Sequence, residues 1–255
     1  MQINLQDRVA VITGGSRGIG AATVRLMASA GAKVVFCYRN ARASAQTLLA
    51  HSQAAGWQVK ARRADVSKAA DAKRLIDFAV RQFARLDILV ANAGIWNPDP
   101  APIEKLTEKQ WDEMMDVNLK GVYNVIHHAV PQMVKQKAGR VIVISSTAGQ
   151  RGEAFHTHYG ASKGGLISLV KGLSTELGPR NILVNCVAPG WVDTEMCSSV
   201  TRSARELRKV SSGIPLRRMA RPEEIALPVL FLASQMASYI TGEVLNVNGG
   251  NVLCG

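Results

Sequence analysis

The sequence predicts a doubly wound α/β fold: one seven-stranded parallel sheet with helices on both faces. Three observations predict it. Apolar, β-branched runs recur seven times, the segments between them carry helical periodicity, and the runs are continuous rather than alternating. A continuously apolar strand is covered on both faces, as parallel strands are. Strand–helix alternation then winds the chain in right-handed crossovers.

The first run, Arg8–Thr13, passes into Gly14-Gly15-Ser16-Arg17-Gly18-Ile19-Gly20, and a helical pattern through Val24, Leu26, Met27 and Ala30 follows. Glycines let the backbone turn tightly and approach a pyrophosphate, and the helix N-terminus offers it free N–H groups and a positive dipole end. The spacing is Gly14-x-x-x-Gly18-x-Gly20 rather than the common G-x-G-x-x-G. The second run, Lys33–Tyr38, ends at Arg39-Asn40. A chain preferring NAD places an acid near this point, about 20 residues on, for the ribose 2′-hydroxyl. Here there is none, whereas Arg39 and Arg17 can grip a 2′-phosphate, so NADP(H) is the expected cofactor.

The third run, Gln58–Arg62, leads to Ala64-Asp65-Val66, whose acid can accept from an adenine amino group. A helical pattern through Leu75, Ile76, Ala79, Val80 and Phe83 separates it from the fourth run, Asp87–Ala91, which Asn92-Ala93-Gly94 closes. Both turns lie at carboxyl ends of strands, where an open α/β sheet binds its ligands. The fifth run, Arg140–Ser145, ends at Ser146. Thirteen residues on, Tyr159-Gly160-Ala161-Ser162-Lys163 opens a helix. The sixth and seventh runs are Ile182–Ala188 and Val244–Val247. The polar, basic stretch Asp193–Pro222 breaks the rhythm and reads as a substrate lid at about residues 193–222 within a single domain, 1–255.

Tyr159 and Lys163 stand at i, i+4 and share a helix face. A free tyrosine titrates near pH 10. A neighbouring ammonium favours the phenolate, so the pairing predicts a lowered Tyr159 pKa and a working general acid/base. Ser146 then hydrogen-bonds the substrate oxygen and stabilises charge developing on it. The three residues point to hydride transfer between nicotinamide and a carbonyl/alcohol pair.

Together these motifs resemble the short-chain dehydrogenase/reductase family, over essentially the whole chain. The matching positions are Thr13–Gly20, Asn92–Gly94, Ser146, Tyr159 with Lys163, and the Pro189-Gly190 turn. The resemblance implies an NAD(P)-binding Rossmann domain and a catalytic tetrad completed by Asn118, whose backbone carbonyl holds a relay water. It implies that Lys163 binds the nicotinamide ribose and that Thr194, with Val192 before it, contacts the carboxamide. It also implies a homotetramer that pairs long helices Trp111–Lys137 and His158–Leu177. Tyr239–Glu243, Asn248–Gly250, Ile214–Arg218 and Arg221–Glu224 look most like the 3-oxoacyl-[acyl-carrier-protein] reductases of the family. Thr175 departs from them, since a basic residue is usual before the glutamate matching Glu176. Sugar, steroid or xenobiotic alcohol dehydrogenases of the same family are the alternative. A non-catalytic NADP(H) sensor is the alternative of another class, and it would be expected to have lost Tyr159 or Lys163.

Composition limits the rest. At 255 residues, 47% hydrophobic and 20% charged, the chain can build a large core. No apolar run reaches the ~20 residues of a membrane span, and polar Met1–Asp7 lacks a signal core, so a cytoplasmic protein is expected. Cys37, Cys186, Cys197 and Cys254 have neither zinc nor redox-pair spacing, and His156-x-His158 reads as pocket lining, so no metal site is expected. The net charge of +12 is dispersed, which argues against nucleic acid. It is either a solvated basic surface or an attraction for a phosphorylated cofactor and an anionic substrate. Lys135, Lys137 and Arg140 are expected to offer a basic rim to an acidic acyl carrier protein. The substrate pocket is expected from Ala148–His158, Trp96, Trp191 and the lid at 193–212, although both tryptophans could equally be packing residues.

Overall fold

The computed structural model describes residues 3–253; Cys254 lies outside them. Seven strands form one parallel sheet in the order β3-β2-β1-β4-β5-β6-β7. They are β1 (Val9–Ile12), β2 (Lys33–Tyr38), β3 (Val59–Arg63), β4 (Ile88–Ala91), β5 (Gly139–Ile144), β6 (Ile182–Pro189) and β7 (Val244–Val247). The predicted strands match these to within a residue or two.

Alternation of side chains across each strand feeds two cores. Val11, Val35, Cys37, Leu89 and Val143 face one, beneath α3 (Ala69–Phe83), α5 (Gly121–Gln136) and α7 (Thr157–Leu177). Ala10, Ile12, Val34, Phe36 and Val90 face the other, beneath α1 (Gly18–Ser29), α2 (Arg42–Ala54) and α9 (Pro222–Ala233). Because both faces are covered, the central strands are apolar throughout. This is the physical reason the continuous runs were readable as strands.

The helix expected over Trp111–Lys137 is interrupted. α4 (Glu108–Met115) passes through a π-helical turn, Asp116–Lys120, before α5 begins. A π-turn locally breaks the i→i−4 ladder, and such turns cluster at functional sites. Asn118 sits inside it. The lid holds a short helix, α8 (Ala204–Ser212), started by the Ser203/Glu206 capping box, and none of its residues is buried. Among the described residues no helix is long and apolar enough to cross a membrane.

The amino-terminal edge of the sheet is pinned by Asp87, which is 6% exposed. Its carboxylate accepts from the Val9 N–H at 2.9 Å, from Arg85 Nε and Nη2 at 2.8 and 2.6 Å, and from Arg8 Nη1 at 3.2 Å. Burial pushes the carboxyl pKa up, but these donors outweigh it and hold the group below its ordinary value. A depressed folded-state pKa stabilises above the unfolded value of about 3.9, and that stability is lost as pH falls through the folded value. Asp87→Asn is therefore expected to cost about 1–3 kcal/mol near neutral pH. In denaturant titrations the difference from wild type should shrink once pH drops below about 4, and a difference that stays flat would refute the assignment.

Candidate active site

The carboxyl ends of β1 and β4 are stitched together. Thr13 Oγ1 accepts from the backbone N–H groups of Asn92 and Ala93 at 3.0 and 2.9 Å, and Asn92 Nδ2 donates to Thr13 O at 2.9 Å. This brings the glycine turn against Asn92-Ala93-Gly94. Gly18 turns the chain with φ +50, and a Cβ at Gly20 would lie 2.2 Å from Gly14 O. No side chain fits that approach, so the backbone cradle stays open for a phosphate.

One cavity of about 470 Å³ runs along this edge of the sheet. It is lined by Gly14, Ser16, Arg17, Gly18, Ile19 and Gly20, by Arg39, Asp65 and Val66, and by Asn92, Ala93 and Gly94. Farther along it are Ser146, Tyr159, Lys163, Pro189, Gly190, Val192 and Thr194. Every residue assigned from sequence to cofactor or chemistry therefore borders one space, except Asn118. Arg17 and Arg39 are exposed there, and neither has an ion-pair partner among the described residues. Asp65 Oδ1 accepts from the Ser67 N–H and hydroxyl at 3.1 and 2.7 Å, which fixes the carboxylate at the rim.

Asn118 is fully buried one layer back. Its Oδ1 accepts from Ile95 N–H at 2.8 Å, while its Nδ2 donates to Ile95 O at 3.0 Å and Ser162 Oγ at 3.2 Å. Its side chain thus ties the π-turn to the segment after β4 and to α7. A Cβ at Gly94 would lie 3.3 Å from Asn118 Oδ1 and 3.4 Å from Lys163 Nζ, so Gly94 is the spacer between them.

Ser146 follows β5 and caps the short helix α6 (Thr147–Arg151), its Oγ accepting from Ala148 N–H at 3.1 Å. Its own hydroxyl proton remains available to Tyr159, with which it hydrogen-bonds. Lys163 is buried and donates to Ile144 O at 2.8 Å, with its Nζ 5.9 Å from the Tyr159 ring centre.

The electrostatics differ from expectation. Burial drives the Tyr159 phenol up to about 12, against the downward pull of the Ser146 hydrogen bond. Burial likewise drives the Lys163 ammonium down to about 8. The lowering of Tyr159 expected from its i+4 lysine is absent. Desolvation disfavours both charged forms, and the lysine head is held by a backbone carbonyl rather than by the phenol.

Other expectations also shift. Trp96 and Trp191 do line the cavity, as do Arg151 and Glu153, which pair at 2.8 Å. His156 and His158 do not; His156 stacks on Trp96 with ring centres 5.3 Å apart, and His158 is buried. From the lid, only Thr194–Cys197 reach the cavity, and α8 stays outside. Lys135, Lys137 and Arg140 cannot rim the pocket. They lie where α5 ends and β5 begins, and even Arg140, the nearest in sequence, is the length of a strand from Ser146, about 20 Å at 3.3 Å per residue. A parallel sheet gathers all strand starts at one edge and all strand ends at the other. Among the described residues no cluster of side chains could hold a metal ion. Ala41, Val117 and Thr147 also border the cavity and carried no signal in the sequence beyond their nearness to the motifs.

A family model described as Enoyl-(Acyl carrier protein) reductase matches residues 14–251. The chain is 40% identical over 249 residues to a 3-oxoacyl-[acyl-carrier-protein] reductase of Chlamydia trachomatis, covering 96% of this chain and 98% of the relative. It is 38% identical over 251 residues to the reductase of the same name from Thermotoga maritima, covering 98% and 100%. Its fold superposes on the crystal structure of gox2181 with a TM-score of 0.93 at 32% identity, covering 97% and 96% of the two chains. A Brucella melitensis short-chain dehydrogenase/reductase of the glucose/ribitol dehydrogenase type gives a TM-score of 0.91 at 31% identity, covering both chains fully. With its glycine turn, Ser146, and Tyr159 and Lys163 on one helix all bordering one cavity, this chain belongs to the short-chain dehydrogenase/reductase family, the oxidoreductases that interconvert CH–OH and C=O groups.

Proposed function

We propose that this chain is an NADP(H)-dependent 3-oxoacyl-[acyl-carrier-protein] reductase whose chemistry is carried by Ser146, Tyr159, Lys163 and Asn118. The observation that carries the reading is the convergence of the serine, tyrosine and lysine on the cavity whose other end is the glycine cradle. The names of the relatives supply the substrate.

The residues present fit a dinucleotide carrying a 2′-phosphate. Gly14, Ser16, Gly18, Ile19 and Gly20 offer backbone to the pyrophosphate. Arg39 and Arg17 supply two unpaired guanidinium groups where an acid would repel the 2′-phosphate. Asp65 and Val66 border the adenine end, while Asn92, Ala93 and Gly94 back the middle. Pro189, Gly190, Val192 and Thr194, with Lys163 toward the ribose, frame the nicotinamide end. NADPH, when bound, supplies the hydride.

The chain supplies the proton. With a pKa near 12, Tyr159 is fully protonated at neutral pH and donates to the carbonyl oxygen as negative charge builds there. Ser146, whose O–H otherwise bonds Tyr159, donates it to that oxygen. Lys163, pushed toward neutrality, and the π-turn at Asn118 stand behind the tyrosine as its route for reprotonation.

We infer further that residues 1–255 form one domain acting in the cytoplasm as a homotetramer. The open edge of β7, whose four residues are all partly exposed, supports assembly, as do Trp111 and Tyr123, exposed on α4 and α5. Exposed Arg17, Arg39 and Arg151 at the cavity, with the lid's Arg205, Arg208 and Lys209, would steer an acidic carrier.

Tyr159→Phe is expected to lower kcat about 10²–10⁴-fold while NADPH still binds, as read by steady-state rates and fluorescence titration; full activity in the variant would end the mechanism. In the free protein, the ultraviolet titration of wild type minus Tyr159→Phe should show no tyrosinate below about pH 10, and an early transition would contradict the effect of burial. Arg39→Asp is expected to reduce the NADPH:NADH ratio of kcat/KM about tenfold or more, the loss of one charge-assisted contact. An unchanged ratio would assign the discrimination elsewhere.

A further inference from the structure

β5 lies between β4 and β6 in the sheet, and Ser146 stands just past its end. The chain leaving β4 carries Trp96, and the chain leaving β6 carries Trp191. The two indoles meet edge to face, ring centres 5.9 Å apart and planes at 88°, so they bridge the end of β5 from either side. His156 backs Trp96. Neither indole belongs to the two cores; both are partly exposed and both border the cavity. The Arg151–Glu153 ion pair borders the same end.

The cavity extends from Arg39 to Cys197 and is bordered by both indoles together with Ile95, Met196 and Cys197. An alkyl chain that runs on from the carbonyl past Trp96 has to part its indole from Trp191. A short acyl group ends before that contact.

We propose that Trp96, held by Trp191 and His156, is a specificity-determining residue that restricts the enzyme to short 3-oxoacyl groups. The inference rests on the carbonyl-reductase reading above. Trp96 is the residue to change, because Trp191 adjoins the Pro189-Gly190 turn of the cofactor end.

The experiment compares the N-acetylcysteamine thioesters of 3-oxobutanoate and 3-oxooctanoate by NADPH oxidation. In the wild type, kcat/KM should favour the shorter substrate about tenfold or more, as pocket contacts with a few methylenes allow. Trp96→Ala should bring the two within about threefold, and Trp96→Phe should fall between. The ratio of two substrates on one preparation is independent of the fraction folded, and Trp96→Leu gives the same reading if the alanine variant does not fold. A wild type that reduces both thioesters equally, or a ratio unmoved by the substitution, overturns the gauge and leaves the reductase reading standing. A wild type that binds NADPH but reduces neither thioester overturns the reductase reading, and the gauge falls with it.

Discussion

Thr13 and Asn92 join two strands that the chain visits far apart. β1 feeds β2 and β3 on one side, and β4 begins the run to β7 on the other, so the order of the sheet reverses between them. At such a reversal the loops leaving adjacent strands diverge and open a crevice. The hydroxyl of Thr13 and the amide of Asn92 close the floor of that crevice with short bonds. The rest of the site is hung from that floor. The glycine turn is pressed so close that a Cβ at Gly14 would meet Ala93 Cα at 3.0 Å. Gly94 in turn spaces Asn118 from Lys163.

The two edges of the sheet handle charge in opposite ways. At the amino-terminal edge, Asp87 is buried but surrounded by four donors, and the charged form wins. At the carboxyl-terminal edge, Lys163 is buried and Tyr159 half-buried, each with few partners, and desolvation favours the neutral form of each. The first arrangement holds strands together. The second keeps a proton on the tyrosine and loosens one on the lysine, which suits delivery of a proton to a carbonyl oxygen. The indoles of Trp96 and Trp191 complete this edge. They meet edge to face where both border the cavity that holds the same residues, and this is the contact proposed to limit substrate size.

Much of this was legible in the sequence. The seven strands were readable because a doubly covered sheet demands continuous apolar runs. The glycine turn was readable because close backbone approach demands residues without side chains. Tyr159 and Lys163 were readable because one helix carries both, so their spacing in sequence is their spacing in space. What was not legible depended on neighbours from other elements. The upward shift of Tyr159 comes from burial by the whole cavity wall, and Lys163 is taken by Ile144 of β5. The break at Asp116–Lys120 reflects bonds from Asn118 to Ile95 and Ser162, neither of them local.

The sequence by itself determined the fold class and the motifs that come to border one cavity, the glycine turn, Ser146, Tyr159 and Lys163. Each depends on local spacing or on a pattern that repeats along the chain. Tertiary structure decided the protonation of those groups, the meeting of Trp96 with Trp191, the absence of His158 and α8 from the pocket, and the remoteness of Lys135, Lys137 and Arg140. Those outcomes depend on which strand ends lie side by side and how much water remains between them, and only the assembled sheet sets both.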